Sequence, residues 1–231
     1  MKIVKNATLK NKEVKRLAGR AVAPTVEIET LVRSIIADIH QNGNSAAVKY
    51  AQKFDGLTSK NIKATAAELK KAADTLAPKV KKAINASITK VRDFHKHQIE
   101  KSWEFIGKDG ERLGQRVRPL KRVGVYVPGG AGAYPSTVIM NVVPAQVAGV
   151  KEIVAVTPGN SVNPAVAYVL TKLGITEVYK IGGAQAVAML AHGTEKVTRV
   201  DKIVGPSNVY AAVAKKEVFG VSGMEEFQNQ F

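Results

Sequence analysis

Three glycine- or proline-marked turns carry the groups in this sequence that could do chemistry. Gly129-Gly-Ala-Gly-Ala-Tyr-Pro135 follows a β-branched run. Glycines there let backbone N–H groups approach a phosphate, and the start of a helix adds partial positive charge. Ile181-Gly-Gly-Ala-Gln185 sets a carboxamide in the first turn of a helix. Glutamine both donates and accepts, which suits a ribose or an amide and equally suits local bonding at a helix start. Gly205-Pro-Ser-Asn208 repeats the arrangement with asparagine, a residue that also serves as an N-cap. Three polar-tipped turns on one edge converge on a small-molecule site.

The first turn departs from the dinucleotide fingerprint, because Pro135 stands where the third glycine belongs. The second strand ends in Val156-Thr157-Pro158, not in an acidic ribose reader, so a plain flexible turn reads the same. His95 and His97 are two apart on a predicted helix and splay, whereas zinc-binding pairs need three or four. His40 and His192 fall near predicted helix C-termini, where capping or a dipole role is expected. The chain has no cysteine, hence no disulfide, thiolate zinc site or cysteine nucleophile. There is no P-loop, nucleophile elbow or His-Glu-x-x-His motif.

The elements that must position these turns alternate between short apolar runs and amphipathic stretches. Strands are predicted at Val123 to Val127, Ile153 to Val156, Glu177 to Ile181 and Lys202 to Val204. Helices are predicted at Thr137 to Ala148, Asn163 to Leu173, Ala184 to Ala191 and Ser207 to about Val218. This is the pattern of a parallel α/β sheet whose turns gather at the strands' C-terminal edge, where ligands bind. Upstream the signal is mainly helical. Val26 to His40 places Val26, Leu31, Ile35, Ile36 and Ile39 near one face, Gly43 ends that helix, and Ser45 caps a second one to about Phe54. Further helices are predicted from Thr65 to Leu76 and from Pro78 to about Ile99. A hairpin from Trp103 to Val117, turning at Lys108-Asp109-Gly110, leads into the sheet.

The 231 residues suffice for one large or two small domains. A formal charge of +16, from 35 Lys and Arg against 19 acids, raises nucleic-acid binding. The lysines lie mostly on polar helix faces without interleaved aromatics, so a solvated basic surface is the expectation and nucleic acid is not. No membrane-length apolar run and no signal peptide appear, which predicts no membrane and a cytoplasmic protein.

At Leu113-Gly-Gln-Arg-Val-Arg-Pro-Leu-Lys-Arg-Val-Gly-Val-Tyr-Val-Pro-Gly-Gly130 the sequence resembles the histidinol dehydrogenase family, a zinc- and NAD-dependent family of histidine biosynthesis. The likeness continues through Ile181-Gly-Gly-Ala-Gln-Ala, Gly193-Thr-Glu, Val200-Asp-Lys-Ile-Val-Gly-Pro and Ala214-Lys-Lys-Glu-Val-Phe-Gly220, with Lys53-Phe-Asp-Gly56 and Phe94-His95 upstream. It covers about residues 25 to 220. The resemblance implies an incomplete Rossmann-like NAD-binding domain at 119–220, a mainly helical region at 1–118 and a divergent tail at 221–231. It places the NAD contacts on Tyr126, Gln185 and Asn208. Ser207 replaces the family's usual glycine before Asn208, which puts that contact in question if the position needs positive φ.

The resemblance further implies oxidation of L-histidinol through an aldehyde to L-histidine, with NAD taking a hydride in each of two steps, in a homodimer. The family's zinc ligands and its Glu-His acid–base pair would follow Gly220. Here the chain reads Val221-Ser-Gly-Met-Glu-Glu-Phe-Gln-Asn-Gln-Phe231, so no catalytic residue and no metal ligand is assigned. The expectation is a truncated member, inactive alone, whose N-terminal helices keep apolar faces exposed. A short nucleotide-binding or regulatory homologue without dehydrogenase activity is the alternative.

Overall fold

The computed structural model describes residues 24–129, 134–221 and 223–224, together with 8, 11–12 and 14–15. Helix α1 (Val26–Asp55) opens at Thr25, whose hydroxyl accepts the Ile28 N–H, and ends at Gly56 in the left-handed conformation. Its ladder breaks at Gly43 (φ 52°, ψ −129°), where the sequence predicts the end of one helix and the start of another. Ser45 is not the cap of the second segment. Its hydroxyl donates back to the Asn42 carbonyl, and the Asn44 N–H is taken by the Glu195 carboxylate at 3.0 Å. Helix α2 (Ala66–Asp74) starts with a reciprocal Thr65–Glu68 capping box, and α3 (Pro78–Lys96) with a proline whose missing N–H costs nothing there.

Strands β1 (Trp103–Ile106) and β2 (Arg112–Gln115) pair antiparallel as a separate, solvent-exposed ribbon. The rest alternates: β3 (Arg122–Tyr126), α4 (Pro135–Val147), β4 (Glu152–Val156), α5 (Pro164–Lys172), β5 (Glu177–Tyr179), α6 (Gly183–His192), β6 (Lys202–Val204), α7 (Val209–Glu217) and β7 (Gly223–Met224). These five strands form one parallel sheet in the order β5-β4-β3-β6-β7. Counted within the sheet the order is 3-2-1-4-5, that of a doubly wound dinucleotide-binding sheet, and the direction of winding reverses between β3 and β6. Strand β7 lies in the segment the sequence reading leaves as a tail. The outer edge of β5 is closed by residues 62–64: the Ala64 N–H bonds the Val178 carbonyl, and the Lys180 N–H bonds the Ile62 carbonyl.

Alternation along the strands splits the core. Val123, Val125 and Val127 point into a cluster with α4, α5, α2 and α3, while Tyr126, Val154, Val156 and Ile203 point into one with α6, α7 and α1. The first three helices therefore form outer layers on both sides of the α/β core, α1 over α6 and α7, α2 over α5, and α3 over α4. This corrects the expectation of open apolar faces in part: the inner faces are covered, while some apolar side chains of these helices stay exposed. On α1 the buried stripe is Val32, Ile35 and Ile39, at helical spacing, and each such side chain contributes about 1.5–3 kcal/mol. Val26 and Leu31, expected on that face, are exposed: Val26 begins the helix and Leu31 sits one residue off the stripe. Among the described residues Phe54 on α1 and Val80 on α3 also stay exposed, and the longest open apolar run lies around the ribbon, with Phe94, Ile99, Trp103, Phe105, Ile106 and Leu113 all exposed.

Candidate functional site

At the C-terminal edge of the sheet the loops after β3, β4 and β5 meet around Pro158. A Cβ on Gly129 would come within 2.4 Å of the Pro158 ring, and one on Gly182 within 2.6 Å, so the glycines there permit close approach between loops. Gly130 and Gly132 lie outside the described residues. On the other side of β3, Gly205 (φ +107°) rests against the Tyr126 carbonyl, with 2.3 Å available to a Cβ. The turn carrying Asn208 is thereby held directly beside the end of β3.

Tyr126 and Gln185 are brought together, and both are 2 % exposed. The Tyr126 hydroxyl accepts the Gly183 N–H at 2.9 Å. Asp55, the last residue of α1, accepts the Gly182 N–H at 2.9 Å and the Gln185 Nε2–H at 3.1 Å through one carboxylate oxygen. These bonds bind the first N–H groups of α6, which a helix start otherwise leaves unpaired. Burial pushes the Asp55 carboxyl up, against the hydrogen bonds from Gly182 and Gln185. Burial also pushes the Tyr126 hydroxyl up, so it stays protonated. Asp55 was not singled out by sequence reasoning. It lies 127 residues from Gly182, and its only signal was the Lys53-Phe-Asp-Gly56 motif, which reads locally as a turn.

Asn208 takes the capping alternative: its Oδ1 accepts the Ala211 N–H at 2.9 Å and opens α7. Its backbone is extended (φ −75°, ψ 173°), and its side chain is exposed beside the same edge. The three turns thus share one edge, with Tyr126 and Gln185 inside the wall and Asn208 at the surface.

His95 bonds Gln98 within its own helix end. His40 and His192 face each other across α1 and α6, ring centroids 4.7 Å apart. The His192 Nε2 is buried without a partner among the described residues, and burial, then the neighbouring His40, hold its pKa down. No group of three His, Cys, Asp or Glu side chains among the described residues could hold a metal ion. No helix among them is long and apolar enough to cross a membrane.

The histidinol dehydrogenase family profile matches residues 19–228, eight residues past the Gly220 where the sequence reading ends the resemblance. A histidinol dehydrogenase of Geobacillus kaustophilus is 48% identical over 199 residues, covering 85% of this chain and 47% of that relative. One of Bacillus subtilis is 47% identical over 201 residues, covering 86% and 47%. The crystal structure of histidinol dehydrogenase from Elizabethkingia anophelis superposes with a TM-score of 0.84 at 31% identity, over 95% of this chain and 51% of that one. The chain spans about half the length of the curated relatives it matches.

Proposed function

Since the chain belongs to the histidinol dehydrogenase family, we propose that these residues form the NAD-binding side of an enzyme that oxidises L-histidinol to L-histidine, working in the cytoplasm as a homodimer. The observation that carries this reading is the match over residues 19–228 on a sheet whose winding reverses between β3 and β6. Dinucleotides bind over that crevice, outside the carboxyl ends of the strands. Tyr126 ends β3, Asn208 follows β6, and Gln185 opens α6 on the same edge.

When bound, NAD supplies the acceptor for the hydride. The chain's own residues supply position. Asp55 and the Tyr126 hydroxyl fix the Gly182–Gly183 turn, so that the wall beneath the cofactor is set before binding. Gln185 is locked by its bond to Asp55, and the amide nitrogen of the exposed Asn208 has no acceptor among the described residues, because capping engages only Oδ1. Zinc, which the family implies, finds no ligand set among the described residues, and no step is assigned to it.

Calorimetric titration of NAD into the chain, with Gln185→Ala beside it, tests the reading. Saturable heat that Gln185→Ala reduces is expected; equal heats for both proteins remove Gln185 from the site. Histidinol oxidation, followed as NADH absorbance with excess zinc, is expected to be absent for these 231 residues alone.

A further inference from the structure

A second feature of the same sheet edge is a polar cavity of about 360 Å³ beyond the ends of β4 and β5. It is lined by Thr58, Ser59, Lys63, Glu68, Asn160 and Lys180, among others. Lys180 is the informative member. Its side chain is 6% exposed, and its ammonium, with three donors, has one acceptor among the described residues, the Glu68 carboxylate at 3.1 Å. A buried ammonium left with unused donors is costly unless something accepts them.

Its neighbours are donors too. The Asn160 Oδ1 is occupied by the Thr58 N–H at 3.1 Å and the Thr58 hydroxyl at 3.0 Å, which leaves the Asn160 amide nitrogen without a partner among the described residues. Lys63 is exposed and makes no ion pair among the described residues. Two lysines against one glutamate leave the lining net positive. The Glu68 carboxylate, which the Thr65 N–H and Lys180 hold below the ordinary range, keeps Lys180 in place without satisfying it.

We propose that this cavity is a phosphate site, in which Lys180, Lys63 and the Asn160 amide donate to the oxygens of one phosphate group. Charge-assisted bonds from several directions suit a tetrahedral oxyanion. The phosphate has two possible sources, the dinucleotide lying along the same edge or a separate phosphorylated small molecule.

The test titrates inorganic phosphate into the whole chain at constant ionic strength, following backbone amide resonances. Saturable shifts confined to residues 58–63, 160 and 180 are expected. Lys63→Ala and Asn160→Ala should each weaken the dissociation constant about tenfold, as a lost bond to a charged group does. Lys180→Met should weaken it at least as much, while Lys82→Ala, an exposed lysine on α3, leaves it unchanged. That control matters because a chain of formal charge +16 attracts anions everywhere. Shifts that do not saturate, or an affinity indifferent to Lys63→Ala and Asn160→Ala, overturn the proposal.

NAD is then added to the phosphate-saturated protein. Broadened adenine signals with phosphate displaced assign the site to the cofactor; broadened signals with phosphate retained assign it to a separate molecule. Unchanged adenine signals count against the cofactor reading alone, since the phosphate site is judged by its own variants.

Discussion

The carboxylate of Asp55 accepts the side-chain amide of Gln185 at 3.1 Å across 130 residues of sequence, and so ties the end of α1 to the first turn of α6. The same oxygen takes the Gly182 N–H. The outer helical layer and the cofactor wall therefore meet at one partly buried acceptor.

That bond carries a pH dependence of defined sign. Burial raises the native Asp55 pKa, so the native state keeps a proton that the unfolded chain has released, and stability falls as pH rises from the ordinary aspartate range through the raised value. Asp55→Asn is expected to remove this loss above about pH 4, since an amide oxygen in the same place still accepts both bonds. Asp55→Ala leaves two polar groups unpaired and should cost about 2–3 kcal/mol. Urea unfolding of the three proteins across this range decides it. A wild-type profile as flat as that of Asp55→Asn contradicts the account.

At the opposite edge Arg122 clamps the strands. Its guanidinium donates to Glu152 at 3.0 Å, to Glu177 at 2.6 Å and to the Thr198 carbonyl at 3.2 Å, and its side chain is 8% exposed. Breaking a buried pair costs about 3–5 kcal/mol, less where the stranded acids can rehydrate, as Glu152 and Glu177 can. Arg122→Met is expected to lower unfolding stability by roughly 2–3 kcal/mol. A loss below about 0.5 kcal/mol, the scale of an ordinary surface substitution, would remove the clamp from the account.

The ribbon presents Trp103 and Phe105 with rings 6.2 Å apart, and Leu113 sits opposite Phe105. Exposed apolar strands of this kind associate. Light scattering is expected to show self-association that the double variant Trp103→Ser and Phe105→Ser reduces. An unchanged mass distribution in the variant would place the contact elsewhere.

Strands β3 to β6 and helices α4 to α7 were legible in the sequence because β-branched runs and 3.6-residue periodicity are local signals, whereas the two-residue β7 was not. The helix starts near Thr65 and at Pro78 were legible for the same reason, though the Thr65–Glu68 capping box was not singled out. What escaped was long-range. Glu195 caps a helix segment at Asn44, Asp55 seats Gln185, and residues 62–64 close the edge of β5 with two backbone bonds. None of these leaves a pattern in its own neighbourhood. Asn208 shows the converse: its capping role was legible locally, and the geometry realises the cap on an exposed residue.

The most direct test of the cofactor site is hydrogen exchange of the whole chain, read by mass spectrometry with and without saturating NAD. The account predicts slower exchange in peptides covering 126–129, 182–186 and 205–211, the ends of β3, β5 and β6, with β1 and β2 unchanged. Protection absent from those three segments, or confined to other surfaces, would contradict it.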